Sequence, residues 1–225
     1  MNRLIPAALA IALLIAGGTY WMTQSGQSPA VDIDIVSQNA TADTTASSSD
    51  SGVTEMVLGS ADAPVTIIEY ASFTCPHCAT FHADQFKQIK ANYVETGKVR
   101  FIFREVFFDR FGLWASMVAR CGGSEKFFGM SDLLMKGQKD WSRAGDPVAI
   151  AGELRKVGRL AGLGEDQLQA CLKDEDKAKA LVAWYQANAT ADEIDSTPSF
   201  VINGQKYSNM SYGEFVDVIE EKIGG

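Results

Sequence analysis

Apolar residues in the second quarter of the chain form two strand-like runs with a helix-like pattern between them. Residues 65–70 make the first run and residues 99–106 the second, and both are long enough for buried strands. Between the runs, apolar residues recur three and four positions apart until Gly97 ends the pattern. A strand, a helix and a second strand in this order predict a βαβ unit with a parallel strand pair, preceded by a short strand at residues 56–58.

The middle of the chain carries helical patterns only. From about residue 113 to 188 apolar residues share helix faces, and Asp146-Pro147 supplies a capping residue followed by a first-turn proline. The two clearest faces are Trp114, Met117, Val118 and Cys121 in one segment, and Ile150, Leu154, Val157 and Ala161 in another. We therefore expect an all-helical insertion over about residues 110–190.

Strand character returns near the C-terminal end. Residues 199–202 and 205–208 flank Asn203-Gly204, a dipeptide that favours a two-residue hairpin turn. Ser211 and Glu214 then form a capping-box pattern, which predicts the start of a last helix.

Composition sets the size of the core and narrows the class of partner. The chain has 225 residues, of which 46% are apolar, and this suffices for one sizeable globular core. Its formal net charge of −8 argues against a nucleic acid as partner.

The N-terminal segment has the features of an export sequence. Arg3 gives it a basic start, and residues 4–22 are an uncharged, mostly apolar stretch. Small residues at positions 16–18 suit a signal peptidase, whereas the whole stretch is just long enough to stay in the membrane as an anchor. A cleaved signal peptide and a signal anchor are therefore both open for residues 1–22.

The next segment separates the export sequence from the folded part. Residues 23–53 are rich in Ser, Thr, Ala and Asp and predict a disordered polar linker. Residues 54–225 carry the patterns of the folded domain. Whether the N-terminal segment is cleaved or retained as an anchor, this domain is expected outside the cytoplasm.

Cys75-Pro76-His77-Cys78 follows the first strand of the βαβ unit and opens its helix. The dipole and the free backbone N–H groups of a helix N-terminus favour an anion, so we expect Cys75 to be thiolate-prone and to act as the nucleophile. Cys78, one turn further, is expected to be the buried resolving thiol. A purely structural disulfide is the alternative, but two cysteines in one helical turn close too short a loop to stabilise much.

His77 lies between the two thiols. A ring N–H there can donate to the Cys75 thiolate, and a protonated ring would add charge stabilisation. The alternative is an exposed turn residue without a role. His82, a turn beyond Cys78, is interpreted as an ordinary helix residue.

Two further cysteines fall in the helical insertion. Cys121 and Cys171 lie on the apolar faces of two predicted helices. In an oxidising compartment they can form a structural disulfide that closes about 51 residues and stabilises by about 4 kcal/mol on the chain-entropy model. Two buried free thiols are the alternative.

The active-site motif and the order of the elements resemble the DsbA family of exported thiol-disulfide oxidoreductases. The resemblance covers roughly residues 54–225 and rests on residues 73–78, on Thr197-Pro198 and on the helical insertion between them. It implies an α/β structure, a thioredoxin fold with an inserted all-helical subdomain.

The same resemblance assigns further residues to the site. It implies that Pro198 is a cis-proline beside the cysteines, with the Thr197 backbone open to pair with an extended substrate. It also implies that Glu69 is a buried acid beneath the site that relays a proton to Cys78. Arg104 on the neighbouring strand is a candidate partner for Glu69, although strand alternation would also allow both side chains to face solvent.

The implied function is that of a periplasmic dithiol oxidase without a cofactor or a metal. Its substrates would be reduced exported proteins, and a membrane quinone reductase similar to DsbB would reoxidise it. A disulfide isomerase or reductase kept reduced by a membrane donor is the alternative within the same chemistry. A metal-binding module or a non-redox chaperone is the alternative from another class, and the absence of a second closely spaced ligand pair argues against a structural zinc site.

Overall fold

The computed structural model of this chain describes residues 52–225. The predicted signal segment, residues 1–22, and nearly all of the predicted linker, residues 23–53, lie outside the described residues. Within the described part, no helix combines the length and the apolar character that crossing a bilayer would need.

A mixed five-stranded sheet forms the centre of the fold, with the strand order β1-β3-β2-β4-β5. The strands are β1 (Met56–Leu58), β2 (Val65–Ala71), β3 (Val99–Glu105), β4 (Ser199–Ile202) and β5 (Gln205–Ser208). β2 and β3 are parallel, and the other neighbouring pairs are antiparallel. The predicted βαβ unit is therefore confirmed, with each strand boundary within one residue of its expected position.

Helices surround the sheet and make up most of the chain between β3 and β4. They are α1 (Pro76–Ala83), α2 (Gln85–Ile89), α3 (Arg110–Arg120), α4 (Ser124–Lys136), α5 (Gln138–Trp141), α6 (Pro147–Leu160), α7 (Glu165–Lys173), α8 (Glu175–Ala191) and α9 (Tyr212–Gly224). The six helices from α3 to α8 follow one another without an intervening strand in this stretch. A thioredoxin fold with a helical insertion is the resulting architecture.

The crossover between β2 and β3 is less regular than its pattern predicts. The sequence predicts one helix that ends at Gly97, but the chain breaks at Asp84, whose φ of −124° and ψ of −77° are not helical. The last part of the crossover is a π-helical turn over Lys90–Val94, and Gly97 then ends it with a φ of 78°. The apolar positions still face inward because the break lies between two segments that each bury an aromatic face.

Helix caps occur where the sequence places them. The Asp146 carboxylate accepts from the backbone N–H groups of Val148 and Ala149, and this fixes the start of α6. Ser211 and Glu214 form the predicted capping box at the start of α9. In the β4–β5 hairpin, Asn203 and Gly204 both take positive φ values, 46° and 82°.

The sheet and the helical insertion share one buried core. Phe73 stacks on Phe103 at a centroid distance of 5.6 Å, and Phe103 meets Phe127 of α4 edge to face at 5.5 Å. A buried ion pair adds a polar connection, because Arg120 of α3 donates from Nη2 to Glu105 of β3 over 2.6 Å. Both side chains are almost fully buried. The insertion is thus joined to the sheet by an aromatic cluster and by an ion pair.

The structure contains a disulfide between Cys121 and Cys171, with their Cα atoms 5.8 Å apart. Cys121 ends α3 and Cys171 lies in α7, so this second disulfide joins two helices of the insertion. Both half-cystines are only partly buried.

Candidate functional site

The site is built at the N-terminus of α1, where β2 ends. Cys75 is the N-cap residue of α1, with extended backbone angles, and Pro76 takes a first-turn position whose missing N–H costs no hydrogen bond. The helix therefore begins at the motif because Pro76 fixes its first turn. Cys75 is 7% exposed and Cys78 is fully buried, and both are free thiols in this structure. Cys75, the predicted nucleophile, is thus more enclosed than its place at the edge of the helix predicts.

Cys75 lies in surroundings that favour its thiolate. Its pKa is lowered from 9.0 to about 5, first by hydrogen bonding from the Cys78 side chain and then by contacts with Thr197 and with the backbone N–H groups of Cys78 and His77. Burial acts in the opposite direction but is outweighed. As a neutral thiol, Cys75 donates to the Thr197 carbonyl oxygen over 3.4 Å.

The pKa of Cys78 is raised. Burial is the main cause, followed by its hydrogen bond to Cys75 and by the nearby charge of Glu69. At neutral pH the two thiols therefore differ in state, Cys75 being a thiolate and Cys78 a thiol. This is the asymmetry that separates an attacking or leaving sulfur from a resolving one.

His77 meets the site with its backbone and turns its side chain outward. The residue is exposed, and its effect on the pKa of Cys75 comes from its backbone N–H group. Stabilisation of the thiolate by the ring remains a prediction.

The loop before β4 forms the opposite wall of the site. The Thr197–Pro198 peptide bond is cis, and the Thr197 carbonyl oxygen reaches the Cys75 sulfur. The Thr197 hydroxyl is buried and, among the described residues, has no hydrogen-bond partner. The Thr197 side chain nevertheless helps to lower the pKa of Cys75, because a hydroxyl beside the sulfur favours the thiolate.

Glu69 is fully buried on β2, as expected, but the prediction that Arg104 is its partner is wrong. His82 of α1 lies against Glu69, with Nε2 at 3.1 and 2.9 Å from the two carboxylate oxygens. Arg104 instead contacts Glu55, Asp192 and the Tyr70 hydroxyl. Side chains alternate along a strand, so Arg104 projects from the face of β3 opposite to that of its buried neighbours Phe103 and Glu105.

The interpretation of His82 as an ordinary helix residue is also wrong. Its side chain is 3% exposed and packs against the rings of Phe81, Phe86 and Phe103. The signal in the sequence was its position four residues after Cys78, which places both on one face of a short helix.

Gln138 and Asp109 support the active-site loop, residues 72–75 between β2 and α1. The buried Gln138 amide of α5 donates to the carbonyl oxygens of Phe73 and Cys75, each over 2.8 Å. Thr74 donates from its hydroxyl to Asp109 over 2.9 Å, and Asp109 also caps α3. Gln138 is 63 positions from Cys75, and no local pattern in the sequence marks it.

Comparison with known proteins agrees with this geometry. A family model described as thioredoxin matches residues 51–221. A Rickettsia bellii protein, named as a candidate protein-disulfide oxidoreductase, is 32% identical over 75% of this chain. The match covers 64% of the Rickettsia protein, so the chain spans a little less than two thirds of that relative. Disulfide bond formation protein D of Bacillus subtilis is 27% identical over 75% of this chain and 77% of its own length.

The fold of the chain is also similar to that of a solved protein structure. Wolbachia pipientis alpha-DsbA1 is 28% identical, with a TM-score of 0.70, and the match covers 76% of this chain and 91% of that chain. The chain therefore belongs to the thioredoxin family, and it is similar there to proteins named as a protein-disulfide oxidoreductase and as a DsbA.

Proposed function

We propose that this chain is a protein disulfide oxidase that transfers its Cys75–Cys78 disulfide to folding exported proteins. The observation that carries the proposal is the asymmetry of the two thiols. The pKa of Cys75 is lowered to about 5, whereas that of Cys78 is raised. A stabilised thiolate favours the reduced form of the couple, so the disulfide form readily accepts electrons.

The transfer takes two exchange steps. A client thiolate attacks the Cys75 sulfur, a client–Cys75 disulfide forms, the Cys75–Cys78 bond breaks, and Cys78 leaves as a thiolate that takes up a proton. A second client thiolate then attacks the client sulfur of this mixed disulfide, and Cys75 leaves as a thiolate. A leaving thiol with a low pKa speeds the second step, because its thiolate is stable without a proton.

The cis-proline loop is the proposed docking place of the client chain. The Thr197 carbonyl oxygen lies 3.4 Å from the Cys75 sulfur, so a client segment that reaches Cys75 also passes the Thr197 backbone. An extended segment can form main-chain hydrogen bonds there without side-chain selectivity. This mode suits an enzyme that acts on many unfolded clients. Thr197, Pro198 and the two cysteines are thus proposed as the catalytic and binding set, with His77 beside them and Glu69 beneath.

The cellular setting follows from the N-terminal sequence and the electron balance. The export-like pattern of residues 1–22 supports a periplasmic location for the domain, either released or anchored by residues 4–22. Each transfer leaves two electrons on the enzyme, so a second partner must remove them. In this proposal, a membrane quinone reductase similar to DsbB removes these electrons.

The experiment compares oxidase and isomerase activity in the same preparation. The oxidised chain is mixed with a reduced two-cysteine peptide, and separately the reduced chain is mixed with a protein whose disulfides have been scrambled. We expect rapid peptide oxidation and complete loss of it in Cys75→Ser. Cys78→Ala, first converted to its Cys75–glutathione disulfide with oxidised glutathione, should form a stable mixed disulfide with a one-cysteine peptide and release glutathione. Replacement of the second disulfide by two alanines is the matched control and should leave peptide oxidation unchanged. Slow peptide oxidation together with efficient unscrambling would contradict the oxidase proposal and favour an isomerase.

A further inference from the structure

A buried acid–imidazole pair lies beneath the resolving cysteine. His82 Nε2 is 2.9 Å from one Glu69 oxygen and 3.1 Å from the other, so the ring nitrogen faces the middle of the carboxylate. The side chains are 3% and 0% exposed. A carboxylate can only accept hydrogen bonds, so this arrangement places the proton on Nε2 when Glu69 is ionised.

The surroundings of the pair are aromatic rather than charged. His82 packs on Phe86 with a centroid distance of 4.7 Å and on Phe81 and Phe103 at 5.6 Å. The two charged residues that follow Phe103 on β3 both have other partners. Arg104 is held by Glu55, Asp192 and Tyr70, and Glu105 is held by Arg120 and Ser116. On β4, the Cα partner of Glu69 is the uncharged Phe200.

Cys78 is the titratable group of α1 that shares this region with the pair. Cys78 and His82 are four residues apart in α1, so they lie on the same face of the helix. The charge of Glu69 acts on the Cys78 thiol and raises its pKa. Cys78 therefore cannot ionise by itself at neutral pH, and its attack on a disulfide needs a base.

We propose that His82 is a positioning residue that holds Glu69 as an oriented carboxylate, so that Glu69 can accept the Cys78 proton during reoxidation. A buried carboxyl without a partner keeps its proton to higher pH than one in water, and a protonated carboxyl cannot serve as a base. The inference deepens the proposed function and rests on it.

Reoxidation begins when the Cys75 thiolate attacks an oxidant that is itself a disulfide. A Cys75–oxidant disulfide forms, the S–S bond of the oxidant breaks, and one oxidant sulfur leaves as a thiolate. Cys78 then gives its proton to Glu69 and attacks the Cys75 sulfur, which forms the Cys75–Cys78 bond and releases the oxidant as a thiolate. Glu69 passes the proton on to solvent or to the released thiolate. His82 keeps its Nε2 proton throughout and acts only through Glu69.

The test uses oxidised glutathione as the oxidant and resolves the two steps. Reduced chain with an intact second disulfide is mixed with oxidised glutathione, quenched with acid and weighed by mass spectrometry at pH values from 6 to 9. Formation of the glutathione–Cys75 disulfide is an internal control because it does not use the Cys78 proton. Its decay to the Cys75–Cys78 disulfide measures the step assigned to Glu69 and His82.

The variants separate hydrogen bonding from packing. His82→Gln keeps an N–H donor at the place of Nε2, and His82→Leu removes it. Phe86→Leu removes a ring that packs on His82 but leaves both members of the pair in place. We expect His82→Leu to form the mixed disulfide at the wild-type rate but to resolve it about tenfold more slowly at pH 7, with recovery towards pH 9. His82→Gln and Phe86→Leu should resolve it within about threefold of the wild-type rate.

Two results in His82→Leu would contradict the role of His82. Wild-type resolution in His82→Leu at pH 7, or a slowing that is the same at pH 7 and pH 9, would overturn it. If His82→Leu does not fold, the comparison moves to Glu69→Gln, which should be slow at every pH, and a His82→Gln variant as slow as Glu69→Gln would overturn it too. A wild-type chain that forms neither the mixed disulfide nor the Cys75–Cys78 disulfide would refute the proposed function itself, whereas the outcomes above refute only the role of His82.

Discussion

Acid should destabilise the dithiol form of this protein, with Cys75 as the source of the effect. The pKa of Cys75 is lowered from 9.0 to about 5, chiefly by the Cys78 side chain. Between these two values the folded chain binds fewer protons than the unfolded chain. Because the folded-state pKa is the lower one, the stabilisation is complete above the unfolded-state pKa and is lost as the pH falls through about 5.

The size of the effect follows from linkage. With these pKa values, ionisation of Cys75 stabilises the folded dithiol form by about 3 kcal/mol at pH 7 and by about 0.4 kcal/mol at pH 5. Cys75 is only 7% exposed, so solvent screening reduces these values little. Cys75→Ser keeps a similar shape but cannot ionise in this range. The loss of unfolding free energy caused by Cys75→Ser should therefore be about 2 kcal/mol larger at pH 7 than at pH 5.

The assay is equilibrium unfolding in urea with a reductant, at pH 5 and pH 7. Both proteins carry alanines in place of the second disulfide, so that only the active-site thiols differ. The oxidised form with Cys75 and Cys78 joined, measured without the reductant, is the control. It has no thiol to ionise, so its stability should lack this dependence on pH. An equal cost of Cys75→Ser at both pH values, or a larger cost at pH 5, would refute the assignment of a stabilised thiolate to Cys75.

Three further perturbations test other parts of the structure. Thr197→Val should raise the pKa of Cys75, because the valine cannot donate to the thiolate, and a pH titration of thiolate absorbance near 240 nm would contradict this if the midpoint stayed at about 5. Replacing both half-cystines of the second disulfide by alanine should lower the free energy of unfolding by about 4 kcal/mol in urea, and a loss below about 1 kcal/mol would show that the bond constrains little. Arg120→Leu should cost about 3 to 5 kcal/mol because it leaves Glu105 buried without a partner, and adding Glu105→Met should recover most of that loss, whereas additive losses in the double-mutant cycle would contradict the account.

Much of the fold could be predicted because its signals are local. The buried strands, the Asn203-Gly204 turn and the caps at Asp146 and Ser211 each depend on a few neighbouring residues, and the structure has all of them. The break at Asp84 was missed because its dihedral angles leave no mark in the spacing of apolar residues. Helical periodicity continues in phase on both sides of it.

The residues of the site also differ in how far the sequence predicts them. One short motif predicts the two cysteines and the start of their helix. The resemblance to a family implies the cis-proline. The partner of Glu69 was assigned wrongly because strand adjacency suggested Arg104, whereas the side chain of Arg104 projects from the other face. Gln138 could not be found at all, because its hydrogen bonds to the active-site loop join segments far apart in the chain.

The most direct test of the central claim is the equilibrium potential of the Cys75–Cys78 couple against glutathione, followed by thiol trapping. The variant without the second disulfide serves as the control, since it leaves one titrating couple. A pKa of about 5 at Cys75 predicts a potential well above that of thioredoxin, which is about −270 mV. A potential at or below that value would contradict the oxidase account and would identify the chain as a reductant supplied with electrons by another protein.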